Sequence, residues 1–155
     1  MSNNRFKWPV RPLALTENTV SGKTCRITVL SSRLLRMEYA PDGVFEDRAS
    51  QVAFYRDFPK STFTYELKDD ILTLQTEHLL LTCKDGVPFT AETLQVKLLQ
   101  EPGSVWHYGD SIEDLGGTAR TLDCVNEGCP LDQGVCSRWG FSVIDDSGNL
   151  LLNED

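Results

Sequence analysis

Apolar and polar residues alternate with period two along most of this chain, and a two-residue period is one that a strand can satisfy and a helix cannot. In 24–30, Cys25, Ile27 and Val29 share one face, while Thr24, Arg26 and Thr28 share the other. In 33–39, Leu35, Met37 and Tyr39 oppose Leu34, Arg36 and Glu38. The pattern returns at Phe63, Tyr65 and Leu67, at Leu72 and Leu74, at Leu79, Leu81 and Cys83, and at Leu94, Val96 and Leu98. Each run reads as a half-buried strand. Ser31-Ser32, Asp69-Asp70, Glu77-His78 and Asp85-Gly86 fall between runs, where short polar residues and glycine suit hairpin turns.

No stretch holds a three-turn apolar stripe at helical spacing, although 91–100 comes nearest. Short strands at close, regular spacing predict an all-β antiparallel sandwich rather than a βαβ fold. Residues 1–22 carry Pro9, Pro12 and Gly22 and read as an extended lead-in segment or a short edge strand. Residues 46–60 alternate less cleanly, and Pro59 bars a central strand nearby, so a strand with a long exit loop is expected there. Residues 137–144 place Trp139, Phe141 and Val143 on one face of a last strand, which ends in the turn signal Asp145-Asp146-Ser147-Gly148. Leu150, Leu151 and Leu152 then stand with nothing after them to cover their side chains, as at the cut end of a longer protein.

A chain of 155 residues fits one domain and should bury roughly 70% of its unfolded surface. The 15 Lys and Arg are scattered among 23 Asp and Glu, giving a net charge of −8, and that field repels phosphate. Nucleic acid is therefore not an expected partner. No apolar run approaches the roughly 20 residues of a membrane span, and Met1–Arg5 lacks the apolar core of a signal peptide, so the expected location is cytoplasmic. The five cysteines are an odd number, and Cys25 and Cys83 sit inside apolar alternation as small buried thiols would. Cys124, Cys129 and Cys136 lack the paired spacing of a zinc site, so no metal is expected.

One segment breaks the pattern. Residues 109–127, GDSIEDLGGTARTLDCVNE, gather Asp110, Glu113, Asp114, Asp123 and Glu127 with Arg120 and the pair Gly116-Gly117. Glycoside cleavage needs two carboxyl groups roughly 5 to 9 Å apart, which such a loop can supply, but solvated loop acids look the same in sequence. The glycines match no phosphate-binding motif and read as a tight backbone turn. Arg120 is expected to order the loop by pairing with Asp114 or Asp123, the alternative being that its planar fork holds a carboxylate or a sugar hydroxyl. Trp106 and Tyr108 are candidates for stacking on a sugar ring, or for core and rim packing. Neither His78 nor His107 has a Ser or Cys partner in a recognisable nucleophile motif.

Two blocks in this region resemble glycoside hydrolase family 31, the family of α-glucosidases and α-xylosidases. WHYGDSIEDLGGTARTLD, 106–123, is similar to the family's W-x-x-G-E followed by N-L-G-G-T-x-R-T-L-D. SRWGFSVIDDS, 137–147, is similar to its S-R-x-G-[WYF]-x-V-[IVL]-D-D-S. The stretch ITVLSSRLLRMEYAPDGVFEDRASQ resembles its first strands, so the likeness covers about 24–147. Asp110 stands where the family often has Glu, Asp114 where it often has Asn, and Cys124 and Cys136 where Gly and Leu are common.

The resemblance implies an N-terminal β-sandwich of the galactose-mutarotase-like type that precedes a catalytic (β/α)8 barrel. On that plan 1–22 lead in, 23–149 form the sandwich and 150–155 begin the connection to a barrel this chain lacks. The family's retaining mechanism uses an aspartate nucleophile in W-x-D-M-N-E and a second aspartate as acid/base. Neither motif is here, so the chain alone is expected to carry no catalytic residue, while its parent hydrolyses terminal α-linked sugars without a cofactor. The resemblance places loop 109–127 over the barrel mouth, with Asp123 accepting hydrogen bonds from substrate hydroxyls and Gly116, Gly117 and Arg120 shaping the loop. Expected partners are that barrel and an α-linked glycoside. Self-association is expected through the apolar face of Trp139, Phe141 and Leu150 to Leu152. Two alternatives stay open: a free-standing carbohydrate-binding sandwich using Trp106, Tyr108 and Asp123, and a mutarotase-type epimerase, for which no converging His and Glu pair is visible.

Overall fold

The computed structural model describes residues 8–100, 103–118 and 128–152. The chain divides into two compact units, one of 1–109 with 148–155 and one of 110–147.

The first unit is all-β and antiparallel. β1 (Thr19–Ser21), β2 (Cys25–Ser31) and β3 (Leu34–Tyr39) form a three-stranded sheet in that order. After the two-residue β4 (Ala49–Ser50) comes a five-stranded meander of β5 (Thr64–Lys68), β6 (Ile71–Gln75), β7 (Leu79–Lys84), β8 (Leu94–Leu98) and β9 (Val105–His107), again in chain order. Among the described residues the only helical element is a 3-10 turn at Thr16–Asn18, and no helix there is long and apolar enough to cross a membrane.

Alternation decides which faces are buried. Cys25, Ile27 and Val29 of β2 are fully buried, as are Leu72, Leu74, Leu81 and Cys83 of β6 and β7. The intervening Thr73, Thr82, Gln95 and His107 sit in one cross-strand row on the opposite face of the five-stranded sheet. Polar ties link the two sheets at both ends. At one end the Asp85 carboxylate, after β7, accepts from the backbone N–H of Lys23 at 2.6 Å, Thr24 at 2.9 Å and Cys25 at 3.3 Å. At the other, the Thr76 hydroxyl donates to the Ser32 carbonyl at 2.7 Å, and His78 Nδ1 lies 3.1 Å from Ser32 Oγ. Between them the Cys25 and Cys83 thiols hydrogen-bond without a disulfide. That bond, together with burial, pushes the Cys83 thiol well above its ordinary pKa. These ties are what the expected sandwich requires.

Charge is handled by register. Arg26 stands directly opposite Glu38 and meets it with two parallel bonds of 2.8 and 2.9 Å. Its third nitrogen reaches Asp47 at 2.7 Å, and its guanidinium lies over the Phe45 ring. The buried Asn18 side chain donates to the Pro59 carbonyl at 3.0 Å and accepts from Ser61 N–H at 2.8 Å, fixing the approach to β5.

One sequence reading needs correction. Residues 137–144 do not form a strand: Ser137 makes an isolated bridge to Asp114, the chain turns, and Gly140 takes φ +74°. The Ser137 hydroxyl donates to the Phe141 carbonyl and closes that turn, which leaves Trp139 exposed. Within 46–60 the expected strand is the short Ala49–Ser50, followed by the expected loop, in which Tyr55 bridges Arg11 and the almost wholly buried Arg56 donates to the backbone carbonyls of Glu46 and Arg48. The closing leucines find a backbone partner, while the side chains of Leu150 and Leu151 stay exposed as the sequence suggests. β10 (Leu151–Leu152) pairs antiparallel with β4.

Candidate functional site

The unusual loop belongs to the second unit, where two segments distant in sequence lie side by side. Asp114 and Ser137 form an antiparallel bridge. Leu115 N–H donates to the Cys136 carbonyl at 2.8 Å, Arg138 N–H to the Glu113 carbonyl at 3.3 Å, and Gly117 N–H to the Asp132 carbonyl at 2.6 Å.

Asp114 is the clamp. One of its carboxylate oxygens accepts from Gly116 N–H at 2.7 Å, closing an Asx turn, and from Gly134 N–H at 2.9 Å across the crossing. The paired glycines follow from that approach. Gly116 has φ +84°, and a Cβ on Gly117 would sit 2.6 Å from the Gln133 carbonyl oxygen and 2.8 Å from that of Asp132.

Asp123 and Arg120, with Cys124 and Glu127, lie outside the described residues. Trp106, on β9, is only 6% exposed, so it is a core residue with no open face for a sugar ring. Its indole N–H is buried without a hydrogen-bond partner among the described residues. Tyr108 is exposed, with its ring 5.8 Å from Phe89 and 6.3 Å from Trp106. Of the proposed stacking pair, only Tyr108 offers a surface.

A separate shallow depression of about 320 Å³ lies on the first unit, lined by Ile71, Thr82, Lys84, Glu92, Gln95 and His107. Neither Trp106 nor Tyr108 lines it. Among the described residues no three His, Cys, Asp or Glu side chains converge as a metal would require.

Two residues carry more than their sequence signals suggest. Asp114 reads as one loop acid among five, yet the Asp-x-Gly spacing of an Asx turn is visible at 114–116. Gly134 has no signal at all, because its role depends on a crossing twenty residues away. No protein-family model matches the chain, and no curated protein does.

Proposed function

We propose that this chain is the N-terminal β-sandwich, of the galactose-mutarotase-like type, of a retaining exo-acting α-glycosidase of glycoside hydrolase family 31. The observation that carries the reading is the meeting of the two sequence blocks that resemble the family. Residues 113–114 of the first run beside 137–138 of the second, through the Asp114–Ser137 bridge and the Arg138 to Glu113 bond. Two short blocks that belong to one pocket rim would be expected to meet in this way.

On this reading the chain supplies shape and specificity, and the barrel supplies both catalytic carboxyl groups. Asp114, Gly116 and Gly117 hold the base of the loop against 132–134. Asp123 then accepts hydrogen bonds from sugar hydroxyls, a role suited to an ionised acceptor in a pocket partly cleared of water. The unbridged Cys25 and Cys83 suit a reducing, cytoplasmic setting.

The test is turnover on a panel of aryl α-glucosides and α-xylosides. The complete gene product should hydrolyse at least one with retention of anomeric configuration, and the 155-residue chain alone should hydrolyse none. Inversion, or turnover by the chain alone, would contradict the proposal. The exposed Tyr108 ring favours a second reading, a free-standing carbohydrate-binding sandwich. Sugar binding by the chain alone, lost in Tyr108→Ala, would replace the first reading with this one.

A further inference from the structure

The five-stranded sheet has an open edge at β5. All five of its residues are exposed, Tyr65 by 60% and Leu67 by 47%. Yet Tyr65 and Leu67 stand opposite Leu74 and Leu72, which are fully buried on the same face. The hairpin to β6 turns on Asp69 (φ 52°) and Asp70 (φ 60°), the two positive-φ residues of a type I′ turn. In such a hairpin the flanking pair, Lys68 and Ile71, exchanges backbone hydrogen bonds, and alternation gives Glu66–Thr73 and Thr64–Gln75 the same pattern. Tyr65 and Leu67 therefore direct their N–H and C=O groups away from β6, toward the open edge. No proline or bulge interrupts the strand to block pairing there.

We propose that this edge pairs with β5 of a second copy of the chain, antiparallel, about a two-fold axis perpendicular to the sheet. Symmetry then admits only registers that keep each residue on its own face. Centring the pair on Glu66 sets that carboxylate against its own copy, which is destabilising. Centring it on Tyr65 sets Glu66 against Thr64 and forms no ion pair. Centring it on Leu67 sets Glu66 against Lys68 of the second copy twice, and the two Leu67 backbones exchange both hydrogen bonds. The exposed Leu67 side chains meet at the axis beside the Tyr65 rings. Charge complementarity selects this last register. The overlap is short, so the dimer is weak and reversible rather than obligate. It does not rest on the glycosidase reading, and it uses a surface other than the exposed Trp139 face.

Sedimentation velocity on the 155-residue chain, from micromolar up to about 1 mM, tests it. The expected result is a concentration-dependent dimer. Leu67→Pro should abolish it while leaving circular dichroism unchanged, since that N–H makes no bond within the monomer's ladder. Glu66→Lys and Lys68→Glu should each weaken association by about tenfold, and the double swap should restore it. A chain that stays monomeric throughout would overturn the proposal, as would single swaps that dimerise like the wild type or a double swap that does not recover. Loss of the dimer in Trp139→Ser with the β5 variants unaffected would likewise overturn it.

Discussion

At the scale of single residues, Asp85 has the largest consequence for stability. Its side chain is almost wholly buried, and a Cβ on Gly22 would run into its carboxylate, so the β1–β2 turn closes directly over it. Burial alone would raise its pKa, but the N–H donors of Lys23 and Thr24 outweigh that and hold the carboxyl at about 2. Lys23 also bonds to Asp70, and the other titratable neighbours are the Cys25 and Cys83 thiols. Because the folded-state pKa lies below the unfolded value of about 3.9, the stabilisation is complete above pH 4 and is lost as pH falls toward 2. Acid titration followed by tryptophan fluorescence should show stability declining in that window, with the decline reduced in Asp85→Asn. Asp85→Ala should lower unfolding free energy by about 3 kcal/mol in urea, because it strands several buried N–H groups. The sequence displays Asp85-Gly86 only as a turn signal. A bond to residues some sixty positions earlier leaves no local trace.

At the scale of elements, the strands are legible because burial enforces the alternation. β2, β3 and β5 to β8 lie within about a residue of the runs read from sequence. The same pattern does not weigh equally everywhere. Leu81 lies in central β7 and is fully buried, whereas Leu67 shares its face on edge strand β5 and is half exposed. Leu81→Ala should cost about 3 kcal/mol, and Leu67→Ala less than about 1 kcal/mol, in denaturant melts of dilute protein. Residues 137–144 mark the limit of the argument. Trp139, Phe141 and Val143 alternate as a strand would, but only Ser137 and Arg138 find a partner backbone, and the positive φ of Gly140 ends the extended run. Alternation predicts which face would be buried, not whether a neighbour exists to bury it.

At the scale of the whole molecule, the chain is a strand-rich unit with a second unit held mainly by backbone crossings. In that second unit Leu115, Leu131, Val135, Trp139 and Ile144 are all exposed. Its order depends on a few bonds, of which the two to Asp114 are the most concentrated. Asp114→Ala should therefore speed proteolytic cleavage and amide exchange within 110–147 several-fold, with little change in the melting of the strand-rich unit. The base of the site is legible as a glycine pair in an acidic loop, and the block that meets it is visible as a motif. Their contact is not, since no period or spacing encodes which loop crosses which.

On the proposed reading this loop meets a substrate held by another domain, and Asp123 is the residue whose loss reads that contact out. The measurement is kcat/KM for α-glycoside hydrolysis by the complete gene product, wild type against Asp123→Ala. A fall of about 100-fold with unchanged thermal stability is the predicted result, as expected for losing a charged acceptor of substrate hydroxyls. Equal kcat/KM in the two proteins, or no α-glycosidase activity in the wild type, would contradict it.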